Sequence, residues 1–435
     1  MRDRLIRTLV AGWVLALGVA AVWVAHADDL RDPAATPRAA IAADWPCWRG
    51  PTHDGHAPPG QSVPLSWSAT ENVLWSADIP GRGNGSPTVV GSRIYLATCD
   101  EGSGGQSLLA FDRSSGRRIW QTTIHESGAM RKHERSTGAS VTPACDGERL
   151  FVAFANGNAV IATALTRDGE RLWQKKVCDY QIHQGYGASP LVHGDFVIVA
   201  ADQPGGGALV AYDRATGAEA WRRERPRNPS YSSPVVYRLC DRDQLILIGN
   251  DRVVSHDPRT GAVIWEWQGG TTECVTTTVS DGTRVFSTGG YPRNHVAAIR
   301  GDGSARLDWE NDQRVYVPSM VCRDGHLYGV LDAGIATCWD SATGAEKWKK
   351  RLGGNFSASL VLLDDMVFAT SETGITTVFR ASPAGFEHLG GGTLGDEAFA
   401  SPAVCGGRIY FRIAEQVEGT RRERLVCIGA GTPPR

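Results

Sequence analysis

After the first thirty residues, apolar positions come in short runs bounded by glycine and polar turns, never at helical spacing over a long stretch. The runs are much alike: Arg93-Ile-Tyr-Leu-Ala97, Arg149-Leu-Phe-Val-Ala153, Phe196-Val-Ile-Val-Ala200, Arg284-Val-Phe-Ser287, His326-Leu-Tyr-Gly-Val330 and Arg408-Ile-Tyr-Phe411. Their β-branched and aromatic content predicts buried strands. A Ser-Pro or Thr-Pro strand precedes most of them, at Ser86-Pro87, Thr142-Pro143, Ser189-Pro190, Ser233-Pro234 and Ser401-Pro402, with degenerate versions near Thr277, Pro318 and Ser359. Further on, a third strand closes on Asp112-Arg-Ser-Ser-Gly116, Asp213-Arg-Ala-Thr-Gly217, Asp257-Pro-Arg-Thr-Gly261 or Asp340-Ser-Ala-Thr-Gly344. In these turns the aspartate caps backbone amides and the glycine takes positive φ, so a fourth strand follows and delivers a tryptophan.

Those tryptophans, at 75, 120, 173, 221, 265, 309 and 348, recur every 39 to 53 residues. That is the span of a four-stranded propeller blade, and it rules out a single sandwich. Eight strand starts predict eight blades, but the last lacks a fourth strand after Leu425-Val-Cys-Ile-Gly429. The missing strand is supplied by Asn72–Ile79, ahead of the first blade. The expected fold is therefore all-β: an eight-bladed β-propeller of four-stranded antiparallel blades, closed by an N-terminal strand. Residues 45–431 form the propeller, including a covering segment over 45–70.

Composition agrees: Gly is 51 of 435 residues, hydrophobic residues are 42% and charged residues 21%. The formal charge of −2 argues against nucleic acid as a partner. Residues 1–27 have a basic start, an uncharged run from Leu9 to Ala25 and an Ala25-His-Ala27 site, which reads as a signal peptide or, uncleaved, a membrane anchor. Residues 28–44 read as a linker. The expected location is the periplasm or an equivalent envelope compartment.

The Asp-x-x-Thr-Gly-x-x-x-Trp repeats resemble the PQQ-like propeller family, which includes quinoprotein alcohol dehydrogenases and BamB-like assembly scaffolds. The segment Trp45-Pro-Cys-Trp-Arg-Gly50, with Glu71-Asn-Val-Leu-Trp75, is similar to an exported planctomycete-type subgroup. The enzyme branch of the resemblance implies pyrroloquinoline quinone over a tryptophan floor, beside calcium and a vicinal disulfide. No Cys-Cys dipeptide occurs, and no cofactor residue carries over. No quinone, metal or catalytic residue is therefore expected.

Other chemical signatures are thin. Gly390-Gly-Gly-Thr-Leu-Gly395 spells G-x-G-x-x-G without a following helix and reads as a turn between blades. His53-Asp-Gly-His56 offers three ligand types but reads as a solvated turn. Asp241-Arg-Asp243 reads as a turn, His133-Glu134 lacks a second histidine, and no G-x-S-x-G is present. Cys322 and Cys338, like Cys405 and Cys427, fall on first and third strands of one blade, too far apart to bridge.

Loops leading into the innermost strands ring one end of the channel, where binding residues concentrate. The candidates are Arg82, Asn84, the Glu126–Thr137 insertion with Arg131, Lys132, His133 and Arg135, then His183, Tyr186, Tyr231, Glu273, Arg314, Tyr316, Asn355 and Glu397. The expected function is a monomeric, non-catalytic scaffold binding a protein or peptide of the cell envelope. Quinone-dependent oxidation and small-molecule or carbohydrate sensing are the alternatives.

Overall fold

A computed structural model describes residues 44–130 and 133–431. The signal-peptide and linker readings, except Asp44, and the candidates Arg131 and Lys132 lie outside these residues. Among the described residues there is no helix long and apolar enough to cross a membrane.

The strands form eight sheets, each built on four antiparallel strands. Blade 1 comprises Thr88–Val90, Arg93–Cys99, Gln106–Asp112 and Arg118–His125, from channel to rim. Blades 2 to 7 repeat this order, their innermost strands being Ala144–Cys145, Leu191–His193, Val235–Leu239, Val279–Ser280, Val321–Arg323 and Val361–Leu363. Blade 8 has Ala403–Cys405, Arg408–Val417 and Thr420–Gly429, and its outer strand is Val73–Ile79 from the other end of the chain. The predicted closure is what the structure shows.

Alternation fixes the core. Second and third strands are buried on both faces, as blades pack front to back, whereas outer strands bury few residues, as in Glu219–Arg225, where Trp221 and Arg225 alone are buried. The turn aspartates work as read: Asp213 Oδ1 accepts from the Thr216 amide at 2.8 Å and its hydroxyl at 2.7 Å. Those bonds lower the Asp213 pKa.

The repeated glycine has a second role. Five of the repeated tryptophans lie on the turn glycine of the next blade, Trp75 on Gly116, Trp120 on Gly169, Trp173 on Gly217, Trp221 on Gly261 and Trp309 on Gly344. A Cβ on Gly217, at φ 70°, would sit 2.7 Å from the Trp173 ring. The indole N–H then donates into that turn, as from Trp173 to the Arg214 carbonyl at 3.2 Å. Trp265 departs from the rule. Its N–H donates to Gln244 Oε1 at 2.7 Å, and Gln244 Nε2 passes the link to Gly301 O at 2.7 Å.

The Ser/Thr-Pro signature also links blades. The Ser86 amide donates to Thr142 Oγ1 at 3.0 Å, Thr142 to Ser189 at 3.0 Å, and Ser189 to Ser233 at 2.9 Å. Thr277, Ser319, Ser359 and Ser401 form a second such series on the other side of the ring. The hydroxyls of Thr142, Ser189, Ser233, Ser319, Ser359 and Ser401 each satisfy an amide that the short innermost strand leaves unpaired.

Gly390-Gly-Gly392 is not a turn but part of the outer strand of blade 7, His388–Thr393. A fifth strand, Ser66–Trp67, adds to it in parallel, and a Cβ on Gly390 or Gly392 would meet the Leu65 or Trp67 carbonyl oxygen at 2.0 or 2.2 Å. The glycines serve close backbone approach, not phosphate binding. The segment over 45–70 supplies that strand and also bonds to innermost strands through Trp45, Pro46 and Ala57.

Candidate functional site

In each blade the first and third turns open on one end of the channel. The second-to-third hairpins and the loops between blades open on the other, because successive strands run in opposite directions.

The first end is plugged by the chain itself. Trp45 pairs with Val89, the Cys145 amide donates to the Pro46 carbonyl at 2.8 Å, and Trp48 Nε1 donates to Thr277 Oγ1 at 2.8 Å. Arg49, 3% exposed, donates to the carbonyls of Leu360 at 3.2 Å, Asp54 at 2.5 Å and Met320. Its guanidinium binds carbonyls that face the channel at blades 6 and 7, and burial lowers its pKa to about 10. Gly55 and Ala57 then hydrogen-bond to Leu362.

This corrects the reading of His53-Asp-Gly-His56 as a solvated turn. His53 is half-buried, its carbonyl accepting from the Tyr237 hydroxyl at 3.4 Å, and desolvation, only partly offset by Asp54, lowers its pKa to about 4. His56 Nε2 is 2.9 Å from the Cys322 carbonyl oxygen. Among the described residues no group of three His, Cys, Asp or Glu converges as a metal site. Cys47 Sγ lies 3.3 Å from His53 Nδ1, the pairing of a nucleophile with a base, but burial pushes the thiol far up and the imidazole down, so both stay neutral.

The open end gathers most of the predicted residues. His183 Nδ1 lies 2.9 Å from the Tyr231 hydroxyl and 3.7 Å from Glu273 Oε1, and the Tyr316 hydroxyl donates to Glu273 Oε2 at 3.4 Å. These four side chains come from the loops before blades 3, 4, 5 and 6. Arg314 stacks over Tyr316 at 5.2 Å. Burial raises the Glu273 pKa, against the pull of His183 and Tyr316. Burial and then the Glu273 charge raise Tyr231 and Tyr316, so both hydroxyls stay protonated donors.

A second group spans the mouth. Arg135 Nη1 meets Glu372 Oε1 at 3.4 Å, and Ser357 Oγ donates to the same oxygen at 2.6 Å. Asn84 Nδ2 donates to the Arg135 carbonyl at 2.8 Å, Arg82 to the Glu134 carbonyl at 3.4 Å, and the His133 amide to the Gln184 carbonyl at 3.0 Å. The insertion thus ties blades 1, 3 and 7 together. Asn355 is exposed beside it, its carbonyl accepting from the Glu372 amide at 2.8 Å, and Glu397 pairs with Arg421 at 3.1 Å. Tyr186 does not belong with them. It is buried, its hydroxyl donating to the Ala200 carbonyl at 2.9 Å and its ring edge-on to Tyr180, so it is core.

Sequence reasoning missed Glu372, Asp332 and Asp202, which sit on second-to-third hairpins. Asp332 accepts from the Tyr316 amide at 2.9 Å. Asp202 takes two bonds from buried Arg225, at 2.8 and 2.9 Å, and one from Asn250 of the next blade at 2.8 Å. The signal was present, since those hairpins open on the same end as the loops between blades.

The fold and its open mouth define a PQQ-like, BamB-like β-propeller. The family described as outer membrane protein assembly factor BamB matches residues 65–181, 104–350 and 318–383, and the chain belongs to that family. No curated protein matches the sequence. Among solved structures, BamB from Moraxella catarrhalis is similar at 14% identity and TM-score 0.58, over 81% of this chain and 98% of that one. Quinohemoprotein alcohol dehydrogenase from Comamonas testosteroni is similar at 14% identity and TM-score 0.67, over 93% and 83%. Another such dehydrogenase, from Pseudomonas putida HK5, is similar at 14% and 0.64, over 93% and 84%. At these identities the likeness is one of fold.

Proposed function

We propose that the protein is an exported, non-catalytic scaffold that binds protein or peptide partners through the loops at the open mouth. The observation that carries this reading is the asymmetry of the two ends. One is closed by residues 45–57 bonded to the innermost strands, while the other presents polar loops held on a rigid ring. Export rests on the sequence of residues 1–27.

The donor set at the mouth supports a scaffold over a quinone–calcium site. Calcium takes six to eight oxygen ligands. Here Glu273 is engaged by Tyr316 and His183, Glu372 by Arg135 and Ser357, and Asp332 by a backbone amide. The tryptophans that repeat along the chain lie between blades and not across the channel.

The test is photo-crosslinking in cells from Arg314 and Asn355 at the mouth, with Leu172 and Val263 on outer strands as controls. A defined protein captured only from the mouth positions is expected. Equal capture from all four positions rejects the mouth as the binding surface. Dye-linked alcohol oxidation by purified protein given the quinone and calcium overturns the non-catalytic reading.

A further inference from the structure

Cys47, Cys145, Cys322, Cys338, Cys405 and Cys427 carry free thiols in the structure. Cys322 and Cys338 sit on either side of the strand His326–Leu331, and Cys405 and Cys427 on either side of Arg408–Val417. Such pairs are about 9.6 Å apart, beyond the reach of a disulfide.

Cys47 and Cys145 differ. Cys47 lies in the plug and Cys145 at the end of the innermost strand of blade 2, and both are 5% exposed. The Cys145 amide donates to the Pro46 carbonyl at 2.8 Å. In a trans peptide that oxygen lies about 2.8 Å from the next Cα, so a near-linear bond holds the two cysteine Cα atoms within about 6.5 Å. A disulfide spans about 4.4–6.8 Å between Cα atoms. The backbone therefore already holds this pair of Cα atoms in the range of a disulfide. Burial disfavours the thiolate at both sites, and Cys145 adds to the rise at Cys47.

We propose that Cys47 and Cys145 are an oxidation site, joined as a disulfide that clasps the plug to blade 2. The bridge forms as the plug docks, while the thiols still meet solvent. A disulfide-bearing oxidant such as oxidised glutathione supplies the chemistry. One cysteine thiolate attacks it and releases one glutathione thiol. The second cysteine then displaces the other, so two cysteine S–H bonds and one oxidant S–S bond are exchanged for one protein S–S and two glutathione S–H bonds. The two electrons pass to glutathione.

The consequence is mechanical. The covalent loop from 47 to 145 encloses all of blade 1, one of the two blades that meet at the closure of the ring. A clasp there resists opening of the junction on which the fold depends. The inference does not depend on what the mouth binds.

The test uses the purified full chain, unfolded and refolded in a glutathione redox buffer. Free thiols are then alkylated under denaturing conditions without reduction, and the peptides are mapped by mass. A linked Cys47–Cys145 peptide is expected, with both residues labelled only after reduction. Reduction should also lower the melting temperature of the natural protein and leave that of Cys145→Ser unchanged. Full labelling of both residues before reduction, or either cysteine joined to another partner, overturns the proposal. If Cys145→Ser fails to fold, the mapping of the natural protein decides alone.

Discussion

Replacing Trp75 by alanine tests the closure of the ring at its own junction. The indole is 7% exposed, donates to the Arg113 carbonyl at 3.2 Å, lies 6.2 Å from the Tyr410 ring and covers Gly116. An indole buries roughly 150–250 Å². At about 25 cal/mol per Å² this gives about 4–6 kcal/mol as an upper bound, and tryptophan-to-alanine changes in cores cost about 3–5 kcal/mol. Unfolding a ring of roughly 390 residues at about 2.1 cal/mol/K per residue carries about 0.8 kcal/mol/K, so a loss of about 4 kcal/mol lowers Tm by about 5 °C. Differential scanning calorimetry reads the shift directly. Trp75→Phe keeps most of the apolar contact and loses one hydrogen bond, for about 1 kcal/mol. A Trp75→Ala protein melting within about 1 °C of the natural one refutes the view that this strand seals blade 8 against blade 1.

A chain beginning at residue 80 should aggregate or melt far below one beginning at residue 45, because it loses the plug and the outer strand of blade 8; equal melting removes the closure strand from the stability argument. Gly217→Ala should destabilise by about 2 kcal/mol more than Gly157→Ala in urea titration, since both have positive φ but only the first would press a Cβ into a tryptophan. Burial lowers the pKa of His256 to about 4 and of His295 to about 3, against about 6.5 unfolded. Both are neutral in the folded protein, so their contribution is complete above pH 6.5 and is lost as pH falls toward those values, by about 2 kcal/mol each at pH 5. His256→Gln should flatten the fall in urea midpoint between pH 7 and 5, and an unchanged slope counts against the assignment. Replacing Arg131, Lys132 and Arg135 together by alanine should reduce crosslinked partner recovery; undiminished recovery makes the insertion mere rim.

The repeat was legible in the chain because a blade is a local object. Its four strands are consecutive, its turns are set by Asp and Gly within five residues, and a tryptophan every 39 to 53 residues marks each boundary. Closure was legible too, since a blade without a fourth strand and a spare strand at the other end have one economical solution.

What the sequence left undecided depends on residues far apart along it. The Ser/Thr-Pro signature marked strand starts, but only the ring shows hydroxyls such as those of Ser189, Ser233 and Ser359 taking the amide of the preceding blade. Tyr186 and Tyr231 occupy equivalent loops with the same side chain, yet one is core and the other faces the mouth, because the path of each loop is set by its neighbours. Three glycines at 390–392 spell a phosphate loop locally and are a strand edge in space, since the Ser66–Trp67 strand that needs them lies more than three hundred residues away. The sequence determined the ring, through local turns and a period. Tertiary structure decided which end of its channel is sealed, because Arg49 finds its carbonyl partners only when blades 6 and 7 stand side by side.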